Sequence, residues 1–187
     1  MASELRVDKI IPTTGVPTGG GGGIVQVATT ADPARTDTST VSIPSYQWTD
    51  SVITCTITPK SSSNKILVSG FLSGEGNAVD HAFFWRINRS ISGGSATAIT
   101  GATAGSRKSV FGPFLEGAAS DNNSTLTSCA FSNYLDSPAT VSAVTYTFQL
   151  VYNGAATFYV NRCVGDAGNN VAYERSLSYI TCMEVTA

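Results

Sequence analysis

The one histidine of this 187-residue chain, His81, follows Asp80 directly, and this pair is the first place to look for a catalytic base. Such a base activates a serine only when the serine hydroxyl lies within hydrogen-bonding reach. No serine of the chain lies in a Gly-x-Ser-x-Gly elbow. The pair stands between Gly76-Asn77 and the apolar run 82–85, a pattern typical of a corner between a loop and a strand. We therefore expect His81 to be structural.

Paired carboxylates are a second catalytic device, since two of them about 5–10 Å apart can hydrolyse glycosidic bonds. The acids that could pair are spread along the chain: Glu75, Asp80, Glu116, Asp121, Asp136, Asp166, Glu174 and Glu184. Most fall in loops rich in Gly and Asn, where Asp commonly closes turns. The glycine run Gly19–Gly23 lacks the Lys-Ser/Thr pair and the helix of a phosphate-binding loop. The sequence predicts a protein that is not an enzyme.

The four cysteines are widely spaced and include no Cys-x-x-Cys pair: Cys55, Cys129, Cys163 and Cys182. We expect no zinc site from such distant positions and no disulfide in a protein assembled in a cytoplasm. Cys55 alternates with Ile53 and Ile57, which predicts a position in the core. The loops 121–123 and 166–170 offer oxygen donors, but without the spacing of a known calcium loop. We expect no metal and no cofactor.

Two Asn-Arg pairs, Asn88-Arg89 and Asn161-Arg162, each end a predicted strand. Each arginine either binds a carboxylate such as Asp136 or Glu184, which would tie strand ends or subunits together, or is simply solvated. The sequence leaves both interpretations open.

Aromatic rings at a protein surface can stack on sugar faces. Trp85 alternates with Phe83 and stands next to Phe84, which indicates burial on both faces. Trp48 follows Ser45-Tyr46-Gln47 near the start of a predicted strand, so it is the better surface candidate.

Charged residues make up only 13% of the chain, about half the usual share, and the net charge is −2. The largest basic cluster is Arg107-Lys108, too little to bind a phosphate backbone, so we expect no nucleic-acid partner. No run approaches the roughly 18 apolar residues of a membrane-spanning helix. The opening 1–9 mixes acids and bases and is not a signal peptide. We expect assembly in a cytoplasm without membrane insertion.

The apolar residues alternate with a period of two, and no stretch has the pattern of an amphipathic helix. Short polar connections separate strand-like runs at 24–29, 51–58, 65–74, 82–88, 97–100, 106–111, 126–135, 140–152, 156–162 and 176–185. Short strands with regular turn signals predict an all-β fold, a single antiparallel β-sandwich. Eight to ten strands suit a jelly-roll.

Asn153-Gly154 stands between the β-rich runs 149–152 and 156–160. Both turn residues tolerate positive φ, which favours a two-residue turn of the primed type. We expect a β-hairpin at this point.

Residues 1–23 differ in kind from the rest of the chain. The sparse apolar residues Leu5, Val7, Ile10 and Ile11 precede a Pro-containing stretch that is incompatible with a regular helix. Five consecutive glycines then provide maximal backbone freedom. We expect an extended N-terminal anchor and stalk over 1–23 and one β-sandwich domain over 24–187, with a flexible joint at Gly19, Gly20, Gly21, Gly22 and Gly23. The segment is either a plain tether or one whose apolar residues add onto a partner or join three chains.

Four motifs in order carry a resemblance to a known group: Thr58–Val68 (TPKSSSNKILV), Tyr134–Thr140 (YLDSPAT) continuing to Thr145-Tyr146, Tyr159–Arg162 (YVNR) and Ser178–Val185 (SYITCMEV). Together with the opening Met1–Ile10, they resemble phage and cyanophage virion proteins of the tail-fibre type. The resemblance spans nearly the whole chain. It implies a virion location, a homotrimer, no cofactor, and a jelly-roll like that of the C1q and tumour-necrosis-factor group.

The resemblance also implies where partners bind. The last strands of such trimers run near the three-fold axis, so we expect Tyr179, Thr181 and Met183 in the trimer core. Host-binding residues of the group lie in variable loops, which here would include Asn77, Asp80, Asp121, Asn122 and Asn153. No defined receptor motif is present.

The function expected from these observations is a trimeric bacteriophage fibre subunit that displays a β-sandwich for attachment to a host-surface glycan or protein. Its other partners would be virion proteins of the tail, baseplate or capsid. Two alternatives stay open: a capsid-bound head fibre or decoration protein without a receptor, and a glycan-hydrolysing tailspike.

Overall fold

The computed structural model describes residues 23–78, 83–92, 94–114, 125–166 and 173–187. In these ranges the chain forms strands, one short 3₁₀ turn at Ala34–Thr36 and no α-helix. The strands are β1 (Ile24–Thr29), β2 (Thr40–Ile43), β3 (Thr49–Ile57), β4 (Lys65–Gly76), β5 (Phe84–Ile91), β6 (Thr97–Ile99), β7 (Gly112–Pro113), β8 (Thr127–Asp136), β9 (Val144–Val151), β10 (Ala156–Val160) and β11 (Tyr179–Val185).

The strands form two antiparallel sheets. The first sheet has the order β1-β11-β4-β10-β2, and β8 pairs with the other edge of β4. The second sheet has the order β3-β9-β5-β6, with the two-residue strand β7 beside β5. Without the short additions β2, β7 and β10, the eight remaining strands are ordered 1-8-3-6 and 2-7-4-5 by chain position. This is the double Greek key of a jelly-roll, so the predicted β-sandwich is confirmed.

The core lies between the two sheets, and buried residues alternate with more exposed ones along much of the strands, except at the ends of β4 and β9. In β3, Ile53, Cys55 and Ile57 are buried, which confirms the predicted position of Cys55. An aromatic cluster fills the centre of the core. The centre of the Phe148 ring lies 5.6 Å from that of the Trp85 ring and 5.8 Å from that of the Phe131 ring. Phe83 and Trp85 are buried as predicted, whereas Phe84 is only half-buried on the outer side.

The predicted strand at 106–111 is wrong, and β2 was not predicted. The segment follows a turn at Gly105, whose φ is 59°, and its Arg107 and Lys108 are exposed. Phe111 contributes a single backbone bond to Trp85 instead of a strand pairing. β2 does carry a signal, since its two apolar residues, Val41 and Ile43, alternate with exposed ones and are buried.

The predicted hairpin at Asn153-Gly154 is also wrong, because β9 belongs to the second sheet and β10 to the first. Neither turn residue has a positive φ. The physical reason is burial on both sides at the end of β9, where Leu150 and Val151 are successive buried residues. The chain leaves the second sheet there and crosses to the first, where Phe158 packs in the core.

Candidate interaction surfaces

The outward side of the first sheet carries a row of apolar side chains that crosses four strands. Val27 on β1 is in register with Met183 on β11, Met183 with Leu67 on β4, and Leu67 with Leu135 on β8. Val27 is 58% exposed and Leu135 50% exposed, and the two central side chains are half-buried. Nothing in the described chain covers this row.

A second row on the same side is aromatic. Tyr179 on β11 is in register with Phe71 on β4, and their rings stack at a centroid distance of 6.3 Å. Ala130 on β8 continues the row. Between these residues lies an open depression of about 310 Å³ that Ser69, Gly70 and Ser132 also line. We call these two rows, together with the paired residues Ile24 and Val185 at the start of β1 and the end of β11, the apolar face.

The predicted trimer-core residues all belong to this side of the sheet. Tyr179 and Met183 lie in the two rows of the apolar face, and Thr181 lies in the polar row between them. There Thr181 is paired with Ser69 on β4 and Thr29 on β1. The alternate residues of the same strand, Ile180 and Cys182, are fully buried in the core.

The outward side of the second sheet is chemically different, because hydroxyl and amide groups bind one another along it. The hydroxyls of Thr56 and Thr145 are 2.8 Å apart, and Thr147 donates to Thr54 at 3.2 Å. The Gln149 amide donates to Asp50 at 2.6 Å. The outward side of the second sheet therefore carries a network of bonded polar groups, whereas the outward side of the first carries two apolar rows with a polar row between them.

The two ends of the sandwich also differ. We call the end of the sandwich where β1 begins and β11 ends the near end, and the connections 58–64 and 137–143 lie there as well. We call the opposite end, where β4 and β9 end, the far end. The chain enters the sandwich through Gly23, at the near end. The Gly23 N–H donates to the Thr186 hydroxyl at 3.1 Å, and the Thr186 N–H donates to the Gly23 carbonyl.

The predicted receptor residues that the structure describes lie at the far end. Asn77 follows β4 and exchanges hydrogen bonds with Thr157, and Asn153 lies between β9 and β10. Both are exposed. Several other predicted positions lie outside the described residues: Leu5, Val7, Ile10, Ile11, Gly19 to Gly22, Asp80, His81, Asp121 and Asn122.

Glu184 is a fully buried carboxylate that fastens the near end. It accepts hydrogen bonds from the Asn64 amide at 2.6 Å, the Gln26 amide at 2.6 Å and the Lys60 backbone N–H at 2.7 Å. Burial alone would raise the pKa of Glu184, but these hydrogen bonds outweigh it and hold the pKa below its ordinary value. The ionised carboxylate ties the 58–64 connection to β1 and β11.

Arg89 does bind a carboxylate, as one of the two open interpretations predicted. Its Nη1 lies 2.7 Å from Asp136 Oδ1, and the Tyr146 hydroxyl donates to Asp136 Oδ2 at 2.7 Å. Burial, followed by the hydrogen bond to Asp136, raises the pKa of Tyr146. The cluster joins β5 of the second sheet to β8 of the first, so it holds the sheets together at the near end.

Arg162 is held differently. Its Nε donates to the Thr38 carbonyl at 2.8 Å and its guanidinium lies 4.5 Å from the centre of the Tyr159 ring, while Asp166 is 3.5 Å away. The neighbouring Asn161, the other member of this Asn-Arg pair, accepts from the Ser178 hydroxyl at 2.6 Å. Its positive φ of 56° was the kind of feature that Asn tolerates and that sequence alone does not reveal.

All four cysteines are buried and free. A hydrogen bond with Cys55, together with burial, raises the pKa of Cys182. Burial raises the pKa of Cys163 to about 11. Cys182 and Cys163 are therefore in the thiol form at neutral pH.

Of the acids that the sequence offered as catalytic candidates, Glu75, Asp136 and Glu184 are buried and hydrogen-bonded. Glu75 is fully buried and accepts from the backbone N–H groups of Val164 and Thr125. Within the described ranges, no three His, Cys, Asp or Glu side chains gather closely enough to hold a metal ion. The same ranges contain no helix long and apolar enough to cross a membrane.

Trp48, the better surface candidate among the aromatic rings by sequence, has one ring face covered, since the Arg86 guanidinium lies 4.1 Å from the ring centre. Arg86 is itself fixed by a 2.7 Å bond from its Nε to Gln149. The exposed ring of this region is that of Tyr46, which is 60% exposed.

No protein-family model matches this chain, and no curated protein matches it either. Among solved structures, the chain is similar to one in a structure of the infectious bursal disease virus Gx strain, with 14% identity and a TM-score of 0.33. The match covers 94% of this chain and 45% of that one, so this chain spans less than half the length of its match. A superposition this loose supports no conclusion about function.

Proposed function

We propose that this protein is a structural subunit of a bacteriophage virion, a homotrimeric fibre subunit that holds its jelly-roll outward for attachment to a host surface. The observation that carries the proposal is the contrast between the two outward sides of the sandwich. One side is the apolar face, and the other is a sheet of mutually bonded hydroxyl and amide groups. Contiguous apolar surface on a protein of this size marks an interaction site.

A second copy of the same chain is the simplest partner for the apolar face. Its rows alternate apolar, small polar and aromatic, and they include Tyr179, Thr181 and Met183 on the last strand. A trimer would bury the face of each subunit against its neighbours around a three-fold axis, and closed symmetry leaves no copy of the face exposed. Removing exposed apolar area from water provides the driving force.

The arrangement of the ends supports a display role. The segment 1–22 joins the sandwich at Gly23, at the near end. Asn77 and Asn153 lie at the far end, so a subunit anchored through its N-terminal segment would present them away from the anchor. Three copies presented together give avidity, and each single contact can then be weak. The virion location in this proposal is supported by the resemblance that the four sequence motifs carry.

Truncation of the phage gene tests the anchoring part of this proposal. We expect a protein lacking residues 1–22 to fold and to assemble, because the pairing of β1 begins at Gly23 and Ile24. It should be absent from purified particles, when particles are probed with an antibody against the sandwich. Normal amounts of the truncated protein in particles would contradict the anchor.

A further inference from the structure

Tyr46 is held in an unusual backbone conformation at the far end of the sandwich. The turn 44–47 connects β2 to β3 and is closed by a 3.0 Å bond from the Gln47 N–H to the Pro44 carbonyl. Tyr46 is its third residue and has a φ of 57°. A positive φ at this position is required in type II turns, which normally place Gly or Asn there. A bulky residue in this conformation is strained, and such strain is concentrated at functional sites.

The strained residue presents its ring to solvent. Tyr46 is 60% exposed, although its backbone N–H is fixed by a 3.0 Å bond to the Tyr152 carbonyl. The Lys108 ammonium donates to the Tyr46 carbonyl at 2.5 Å and lies 5.9 Å from the centre of its ring. An ammonium has three donors, and this bond uses one of them. The ring and the cation are therefore fixed side by side at the surface.

A small cavity opens beside the ring. Its volume is about 60 Å³, its wall presents apolar atoms, and it is lined by Tyr46, Phe84, Lys108, Val151, Tyr152 and Asn153. This is room for roughly two water molecules, which suits a methyl or acetyl group and is too small for a whole sugar ring. The site thus combines a flat aromatic ring, a positioned cation and a methyl-sized apolar cavity.

We infer that this constellation is a binding site for an N-acetylated sugar. The sugar ring stacks on the exposed Tyr46 ring, as sugar rings do on aromatic side chains. The acetamido methyl enters the cavity, and Lys108 donates to the acetamido carbonyl. A plain hexose would find the ring but would leave the cavity empty, so the site selects for the acetamido group.

This inference deepens the attachment role proposed above, and it rests on that role for the choice of a glycan over other small ligands. The site lies at the far end, beside Asn153 and away from the entry of the chain at Gly23. Trp48, with one ring face under Arg86, is replaced by Tyr46 as the sugar platform.

Saturation-transfer NMR with N-acetylglucosamine tests the site on the full-length protein. We expect the strongest transfer at the acetamido methyl, with a dissociation constant on the order of 1 mM. Glucose should show much weaker transfer. No transfer at about 20 mM N-acetylglucosamine, or equal transfer to glucose, would overturn the inference.

The variant Tyr46→Asn separates the role of the ring from that of the fold. Asn tolerates positive φ, so its melting temperature should equal or exceed that of the wild type, while transfer to the sugar falls about tenfold. Val141→Ala, at an exposed position of the near end, should bind as the wild type does. Unchanged binding by Tyr46→Asn would contradict the site. The mass of the assembly does not depend on Tyr46. Absence of sugar binding would therefore overturn this site without deciding on the proposed trimer, which the mass of the protein in solution tests separately.

Discussion

Gly23 and Thr186 are joined by two hydrogen bonds of 3.1 Å, one from each backbone N–H. The chain therefore enters and leaves the sandwich at the same corner, beside the edge strand β1. The connections that carry Asn77 and Asn153 lie at the opposite end. In the proposed function, the near end would be the attachment end and the far end the display end, with the apolar face running between them.

A charge in the middle of the apolar face should dissociate the assembly. Leu67 lies between Met183 and Leu135 in the apolar row, so Leu67→Glu would place a carboxylate without a partner in the subunit interface. Burying such a charge costs several kcal/mol, about enough to break a trimer. We expect Leu67→Glu to be a folded monomer by light scattering and circular dichroism. Thr147→Glu, on the outward side of the second sheet, is the matched control and should keep the mass of the wild type.

The buried carboxylate of Glu184 should make stability depend on pH. Its folded-state pKa is below the ordinary 4.5, so its contribution is complete above the unfolded pKa and is lost as pH falls through the folded value. At pH 7 we expect Glu184→Gln to lower the free energy of unfolding by about 1–3 kcal/mol. The amide N–H₂ of the glutamine would then face hydrogen-bond donors, where the carboxylate oxygen had accepted from them. In urea titrations the difference should shrink as the pH is lowered below about 4. A difference that stays constant down to pH 2 would contradict this account.

Asp136 should matter more than Tyr146, although the two share a hydrogen bond of 2.7 Å. Asp136→Asn leaves the Arg89 guanidinium, whose side chain is 20% exposed, without its counter-charge, at a cost of about 3 kcal/mol. Tyr146→Phe removes one donor and keeps the ion pair, at a cost of about 1 kcal/mol. Chemical denaturation of both variants provides the comparison. Equal losses would mean that the ion pair contributes little.

Glycines of this chain should differ sharply in their tolerance of alanine. A Cβ at Gly74 would collide with the Tyr159 carbonyl oxygen and lie 2.6 Å from the Phe158 ring, so the backbone must shift. We expect Gly74→Ala to lower the free energy of unfolding by about 3 kcal/mol. Gly94→Ala meets its nearest atom at 3.5 Å and should change stability by less than about 0.5 kcal/mol. Similar melting temperatures for the two variants would contradict this contrast.

The class of fold could be predicted because apolar and polar residues alternate with a period of two along the sequence of the strands. β1 was predicted with both of its ends, and the alternation of Ile53, Cys55 and Ile57 placed the inner side of β3 correctly. Pairing of strands is a different matter. The hairpin expected at Asn153-Gly154 depended on local turn preference, whereas the chain crosses there to bury Phe158 in the other sheet.

The site could be predicted only in part, for a related reason. Tyr179 and Met183 were singled out because the resemblance implies that the last strand lies near a three-fold axis. Their neighbours Leu67 and Leu135 come together with them only through the register of β11, β4 and β8. Tyr46 was passed over in favour of Trp48, because its positive φ and its exposure follow from tertiary hydrogen bonds. Such long-range bonds leave no periodic trace in the sequence.

The mass of the protein in solution tests the central claim most directly. By light scattering coupled to size exclusion, the account predicts a particle of three times the 19.4 kDa chain mass, stable in mild non-ionic detergent. A particle of 19.4 kDa at micromolar concentration would contradict the apolar face as a subunit interface.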